Sequence, residues 1–331
     1  MSSILVTGGA GFIGSHVAEE LVRCGHRVTV LDDLSGGFLD NVTEDAEFVP
    51  GSITDVVLVN ALFEEKRFEY VFHLAAYAAE GLSNYIKRFN YTNNLIGSIN
   101  LINAAINTGV RCFVFTSSIA VYGSSPALPM TEDTLPEPED PYGIAKLAVE
   151  QELRVSKRMF GLDYIVFRPH NVYGERQNVG DRYRNVVGIF MNQILQDRAM
   201  TVFGDGGQTR AFTYIKDVAP MIAESIGNPA AYNQVFNIGA DRPYAVKELA
   251  HAVARAMGVQ PRVVHLPPRL EVREAYSSHD KVRRVFGNRE LVALEEGLDR
   301  MARWVKEHGA RVSKGFEAIE VTKNFPQAWL A

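Results

Sequence analysis

Short apolar runs alternate with amphipathic stretches through the first half of the chain. Segments 4–7, 28–31, 70–74, 113–117 and 164–168 read as strands, and 12–24, 56–63, 91–107 and 142–160 between them read as helices. The strand runs are continuously apolar, the pattern expected of strands covered on both faces. Repeated strand–helix units imply a parallel sheet with right-handed crossovers, an α/β doubly wound fold. The second half is less regular. Segments 185–196 and 246–257 read as helices, 200–203 and 235–238 as strands, and Gly204-Asp205-Gly206-Gly207 as a turn. The expected division is a sheet domain over 1–170, completed by segments near 200–240, with 171–331 forming mainly a smaller, interleaved C-terminal lobe.

Composition narrows the class. The 331 residues suit one large α/β unit or two domains. Apolar residues at 47% and charged residues at 22% exclude disorder, collagen and coiled coil. Lys and Arg total 34 against 39 Asp and Glu, and 34 − 39 = −5 argues against a nucleic-acid binder. No apolar run approaches the roughly 20 residues that span a bilayer. The chain enters a strand pattern at once, so no membrane partner and a cytoplasmic location are expected. Two cysteines, Cys24 and Cys112, exclude a disulfide scaffold and a Cys-based zinc site. Both read as small reduced core residues, and no metal is expected.

Gly8-Gly9-Ala10-Gly11-Phe12-Ile13-Gly14 lies between the first strand and the first helix. It holds the G-x-G-x-x-G spacing at Gly9, Gly11 and Gly14, and G-x-x-G-x-x-G at Gly8, Gly11 and Gly14. Such glycines make a tight turn, let backbone approach a pyrophosphate and present a helix N-terminus to it. Asp32 ends the second strand, about 20 residues on, where an acid accepts hydrogen bonds from ribose hydroxyls. Its charge repels a 2′-phosphate and favours NAD over NADP. Asp33 reads as a loop cap.

Tyr142 and Lys146 sit four residues apart at a helix start, on one face. An ammonium beside a phenol favours the phenolate and makes tyrosine a usable base. Tyr-x-x-x-Lys alone is common on amphipathic helices. Here Thr116-Ser117-Ser118 ends the fourth strand, at the rim where doubly wound folds bind ligands.

Together the glycine turn, His73-Leu74-Ala75-Ala76, Asn94, Ser118 and Tyr142/Lys146 resemble the extended short-chain dehydrogenase/reductase family. The resemblance continues through Arg168-Pro169-His170-Asn171-Val172-Tyr173-Gly174, similar to the family's nucleotide-sugar segment. Gly204-Asp205-Gly206, Gln208-Thr209-Arg210 and Tyr214-Ile215-Lys216-Asp217 resemble its diphosphate-binding segment. About the last twenty residues lie outside it; their aromatic side chains include Phe316, Phe325 and Trp329. The resemblance implies a Rossmann-type sheet, NAD as cofactor, a UDP-sugar substrate and a homodimer through a four-helix contact. It casts Tyr142 as general base on the sugar 4-hydroxyl, Lys146 as its electrostatic partner and Ser118 as a hydrogen-bond partner of that hydroxyl. NAD contacts are implied at Gly8, Gly11, Phe12, Ile13, Gly14, Asp32, Ser52, Ile53, Leu74, Ala75, Ala76, Asn94, Thr116, Tyr142, Lys146 and Pro169. Ser52 stands where the family usually has an aspartate, so a weaker adenine contact is expected there. Substrate contacts are implied at Ser118, Tyr142, Asn171, Asn185, Arg210 and Arg269, the arginines on the diphosphate.

The family holds epimerases, dehydratases and decarboxylases that share the first oxidation at C4. Dehydratases of the family carry an Asp-Glu pair just before Val-Tyr-Gly. Here Ile119-Ala120 precedes Val121-Tyr122-Gly123, and neither side chain donates a proton. The expectation is 4-epimerisation through a transient 4-keto sugar. UDP-glucose/UDP-galactose comes first, then UDP-glucuronate or a UDP-N-acetylhexosamine. Asn178 stands where glucuronate epimerases carry an arginine; Arg182 and Arg184 follow and can replace it, or contact phosphate or solvent. Glu80 falls near the sugar, where a carboxylate opposes an acidic one, or else it faces solvent. A dehydratase drawing an acid from elsewhere, such as Glu80, and a non-catalytic NAD-sensing protein are the alternatives.

Overall fold

In the computed structural model, residues 1–125, 127–268, 272–311, 319–326 and 329 are described. Six strands arise in order from the first half: β1 (Ser3–Thr7), β2 (Arg27–Asp32), β3 (Glu47–Pro50), β4 (Tyr70–His73), β5 (Cys112–Thr116) and β6 (Asp163–Pro169). The second half contributes β7 (Gln234–Ile238). They form one parallel sheet in the order β7-β6-β5-β4-β1-β2-β3. Successive side chains of a strand point to opposite faces. Ile4 and Val6 enter one core and Leu5 the other; Cys112 and Val114 oppose Phe113 and Phe115 in the same way. Both faces are covered, and that is why the strands are continuously apolar.

Four helices fill the crossovers of the first half: α1 (Phe12–Arg23), α2 (Val56–Lys66), α3 (Gly97–Thr108) and α4 (Pro141–Phe160). α2, α3 and α4 pack over the face of Leu5 and Phe113. α1 covers the other face with the helix Ile215–Glu224. Asp140 caps α4, its carboxylate accepting from the backbone N–H of Gly143 at 2.9 Å, with Pro141 in the first turn.

Four expectations need correction. β3 does not stand out in the sequence because it is an edge strand with only Phe48 and Val49 apolar before Pro50. The sixth strand, not the fifth, is therefore Asp163–Pro169. Of the segments near 200–240, only β7 completes the sheet. Met200–Phe203 alternates between buried and half-buried residues and pairs with Val263–Leu266 in a separate two-stranded sheet. The helix expected over 91–107 starts earlier, as Lys87–Tyr91, and runs through a π-helical Thr92–Ile96 into α3. Cys24 is exposed, whereas Cys112 is buried.

A buried ionic network ties the last strands to α4. Arg168 on β6 forks onto Glu150 of α4, donating from Nε at 2.9 Å and Nη2 at 2.5 Å. Its Nη1 donates to the Tyr122 hydroxyl at 2.6 Å, which donates to Asn237 of β7 at 2.8 Å. The Ser117 hydroxyl donates to Glu150 at 2.5 Å. Arg168 and Glu150 are both 1% exposed. At the other end of the chain, the Glu320 carboxylate accepts from the backbone N–H groups of Arg88 and Phe89. Phe325 and Trp329 pack around Tyr85. Phe316 lies outside the described residues.

Removing one partner of a buried pair strands the other charge. Glu150→Leu is expected to lower stability by about 3–5 kcal/mol, read from the urea unfolding midpoint. The double variant Glu150→Leu/Arg168→Met is expected to recover most of that loss. Equal losses in both would mean that the ionic pairing is not what holds α4.

Candidate active site

A cavity of about 350 Å³ opens at the carboxyl ends of the strands, where the strand order reverses beside β1. Its lining includes Gly8, Gly11, Phe12, Ile13, Gly14, Asp32, Ser52, Ile53, Leu74, Ala75, Ala76, Thr116, Ser118, Tyr142, Lys146, Pro169, Asn171 and Asn185. These residues lie on separate loops and are brought together by the parallel register. The sequence did not single out Gly36, Gly37, Phe89, Asn93 and Gln177, which also line it. The Gly36-Gly37 pair just after a strand was the one available signal for these.

The glycine turn fits a dinucleotide phosphate. Gly8 has φ +72°, and a Cβ there would sit 2.6 Å from the Ala75 nitrogen. A Cβ on Gly14 would lie 2.0 Å from the Gly8 carbonyl oxygen. α1 starts at Phe12 with Gly11 as its cap and no side-chain cap, so its first N–H groups are left for a ligand. The Asp32 carboxylate accepts from Ala10 N at 3.0 Å and Leu34 N at 2.8 Å. Burial raises its pKa, and those backbone bonds oppose the rise. Asp33 accepts from Ser35 N at 2.9 Å, as a loop cap does. Ser52 is 2.9 Å from the Thr54 hydroxyl. Buried polar atoms without protein partners also belong to lining residues: Thr116 Oγ1, Gln177 Oε1 and both side-chain polar atoms of Asn178. Unpaired buried polar atoms are costly, so their place in the wall suits a polar ligand.

Tyr142, Lys146 and Ser118 converge at the end of β5. Lys146 donates from Nζ to the Thr116 carbonyl at 2.7 Å and lies 5.8 Å from the Tyr142 ring centroid. Burial pulls its ammonium down to about 7, with Glu150 opposing. Burial pushes the Tyr142 phenol above its usual range. The Glu80 carboxylate adds to that push, and a hydrogen bond with Ser118 opposes it. The expectation that Lys146 lowers the phenol's pKa is therefore corrected: desolvation dominates in this geometry. Ile119 and Ala120 form the start of a 3-10 turn (Ile119–Tyr122) and do not line the cavity. Among the described lining residues the carboxylates are Asp32, Asp33 and Glu80.

Three expected site residues are not in the described wall. Asn94 is buried beneath it: its amide accepts from Tyr77 N at 2.8 Å and donates to Tyr77 O and Asn90 Oδ1. With its side chain spent on backbone, it positions Tyr77. Arg210 lies on a strand (Thr209–Ala211) and donates to the carbonyls of Thr209, Arg273 and Val272. Arg269 lies outside the described residues. The Tyr214–Asp217 segment, expected on the diphosphate, begins the helix over α1. Lys216 there meets Glu19 at 3.6 Å and Asp217 accepts from Val292 N at 3.1 Å.

Asn171 and Asn185 both carry positive φ, +41° and +57°. Asn185 caps the helix Val186–Leu195: its side chain accepts from Val187 N at 3.1 Å and donates to the Val172 carbonyl. That helix start therefore faces the cavity beside Gln177 and Asn178.

Residues 4–239 match the NAD dependent epimerase/dehydratase family. The UDP-glucose 4-epimerase of Mycolicibacterium smegmatis is 38% identical over 301 residues, 89% of this chain and 95% of that protein. A solved UDP-glucose 4-epimerase with UDP-glucose from Thermotoga maritima superposes with a TM-score of 0.88 at 37% identity, over 92% of this chain and 99% of that one. The Thermus thermophilus UDP-glucose 4-epimerase complex with NAD gives 0.86 at 33% identity, over 92% and 99%. With a seven-stranded parallel sheet, a glycine turn closed on Ala75 and an acid at the end of β2, the chain belongs to the NAD dependent epimerase/dehydratase family.

Proposed function

We propose that the protein is an NAD-dependent 4-epimerase of a UDP-sugar, with UDP-glucose/UDP-galactose as the first substrate pair. The observation that carries this reading is the meeting of Tyr142, Ser118 and Lys146 in one cavity, beside an Ile119-Ala120 pair without an acid. The similar proteins named UDP-glucose 4-epimerase support the choice of sugar. The glycine turn and Asp32 would hold NAD, which when bound supplies the hydride acceptor at sugar C4 and a positively charged ring. Tyr142 takes the proton of the 4-hydroxyl and returns it after the 4-keto sugar turns over. Ser118 aligns that hydroxyl. Lys146, held by the Thr116 carbonyl, stands beside Tyr142 on the same face of α4. Asn171 and the helix start at Asn185 meet the sugar nucleotide, with its phosphate on the helix N–H groups. Arg210, which donates to the carbonyls of Thr209, Arg273 and Val272, is kept in this reading as a diphosphate contact together with Arg269.

Glu80 in the cavity wall favours one second reading, a dehydratase that uses it as the acid. The unpaired cysteines suit a reducing, cytoplasmic compartment. The reading also takes the enzyme as a homodimer. Ile144, Val155, Met159 and Phe160 stand 43%, 40%, 62% and 63% exposed on α4, the helix of the implied four-helix contact. Sedimentation is expected to show two chains per particle; a monomer at micromolar concentration counts against that assembly.

Incubation with UDP-galactose is expected to produce UDP-glucose. No interconversion of any UDP-hexose, UDP-hexuronate or UDP-N-acetylhexosamine would overturn the reading, and a product lighter by one water would favour the dehydratase. Tyr142→Phe is expected to slow turnover about 10²- to 10⁴-fold, with NAD still bound. Glu80 holds the phenol's pKa up, so its removal makes the base available at lower pH. The acid limb of kcat/KM is therefore expected to move to lower pH in Glu80→Gln. An unmoved limb would mean that Tyr142 is not the titrating base.

A further inference from the structure

Arg184 crosses the mouth of the cleft. Its guanidinium lies 4.9 Å over the Tyr77 ring, on the loop after β4. On the other side it abuts the loop after β2: a Cβ built on Gly36 would sit 3.0 Å from Nη2 and 3.3 Å from Nη1. β1 lies between β4 and β2 in the sheet. A side chain that touches the loops after both neighbours therefore spans the end of β1, above the glycine turn. The Gly36-Gly37 loop rests directly on that turn. A Cβ on Gly37 would lie 2.5 Å from the Ala10 carbonyl carbon and 2.8 Å from Gly11 N, and Phe38 N donates to Ala10 O at 3.0 Å.

The guanidinium is held in place. Asp181 accepts from Nε at 2.7 Å and meets Nη2 at 2.6 Å. Asn94 pins the backbone of Tyr77 beneath it. Among the described lining residues the cations are Lys146 and Arg184, against Asp32, Asp33 and Glu80. Lys146 is buried and committed to the Thr116 carbonyl. A dinucleotide diphosphate on the glycine turn carries two negative charges, and Arg184 is the lining cation placed above that turn. A forked guanidinium suits phosphate oxygens.

We infer that Arg184 binds the diphosphate of NAD from the outer wall, as a latch between the loops after β2 and β4. This depends on the use of NAD and not on which sugar the enzyme turns over. Cofactor-free protein is titrated with NAD, ADP-ribose, adenosine and UDP, without any sugar substrate. Arg184→Ala is expected to weaken NAD and ADP-ribose by about ten- to hundredfold, the range of a charge-assisted bond, and to leave adenosine and UDP unchanged. Arg184→Lys is expected to fall between, because it keeps the charge and loses the fork. Unfolding midpoints check the variants, and Arg184→Gln replaces Arg184→Ala if the latter loses the fold. Unchanged NAD affinity overturns the inference: with weakened UDP the arginine serves the sugar nucleotide, and with UDP also unchanged it is only the ion-pair partner of Asp181. Because no turnover is measured, these results do not depend on the epimerase reading.

Discussion

The placement of the reactive groups depends on the buried pair between Glu150 and Arg168. Tyr142, Lys146 and Glu150 repeat every four residues on α4 and so share one face. Anchoring Glu150 to β6 therefore sets the depth and rotation of the whole face. The pair is costly to desolvate, and the cost is offset because its polar atoms are shared with Ser117 and Tyr122. Through Tyr122 and Asn237 the network reaches β7. The ends of β5, β6 and β7 and the helix bearing Tyr142 are thus one rigid block, and Ser118 sits at its edge facing the cavity.

Charge in the cavity is unevenly distributed. Burial moves both principal groups toward their neutral forms, the phenol upward and the ammonium down to about 7. Glu80 works in the same direction on Tyr142, while Arg184 opposes it. Two helix starts, at Phe12 and Val186, present backbone N–H groups at the cavity, beside the lining cations Lys146 and Arg184. A chain of net charge −5 can hold a nucleotide for this reason: the helix ends supply local positive potential whatever the overall balance.

Much of this was legible in the residues. Continuous apolar runs identified the covered strands, since both faces must be buried. The glycine turn was legible because only glycine tolerates the approach of Ala75 and the Gly8 carbonyl. β3 was not, because an edge strand of four residues has too little apolar pattern. The two-stranded pairing of Met200–Phe203 depends on a partner more than sixty residues away. Asn94 and Arg210 stand outside the described wall, with hydrogen bonds to the backbone of Tyr77, to Asn90 and to the carbonyls of Thr209, Val272 and Arg273, groups that the fold brings to them.

By itself, the sequence determined the strand–helix alternation, the parallel sheet and the glycine turn, and it singled out Tyr142, Lys146 and Ser118, which the fold brings to one cavity. The strands, helices and glycine turn are local patterns, legible within a few residues of each other. Only the tertiary structure decided which polar groups face the cavity and in what state. Tyr77, Gln177, Asn178 and Arg184 lie far apart in the chain or on irregular loops. β1 lying between β4 and β2 brings the loops that carry Tyr77 and Gly36 over one turn, where Arg184 meets both. The phenol's raised pKa likewise follows from burial, a property of the assembled interior that no spacing along the chain contains.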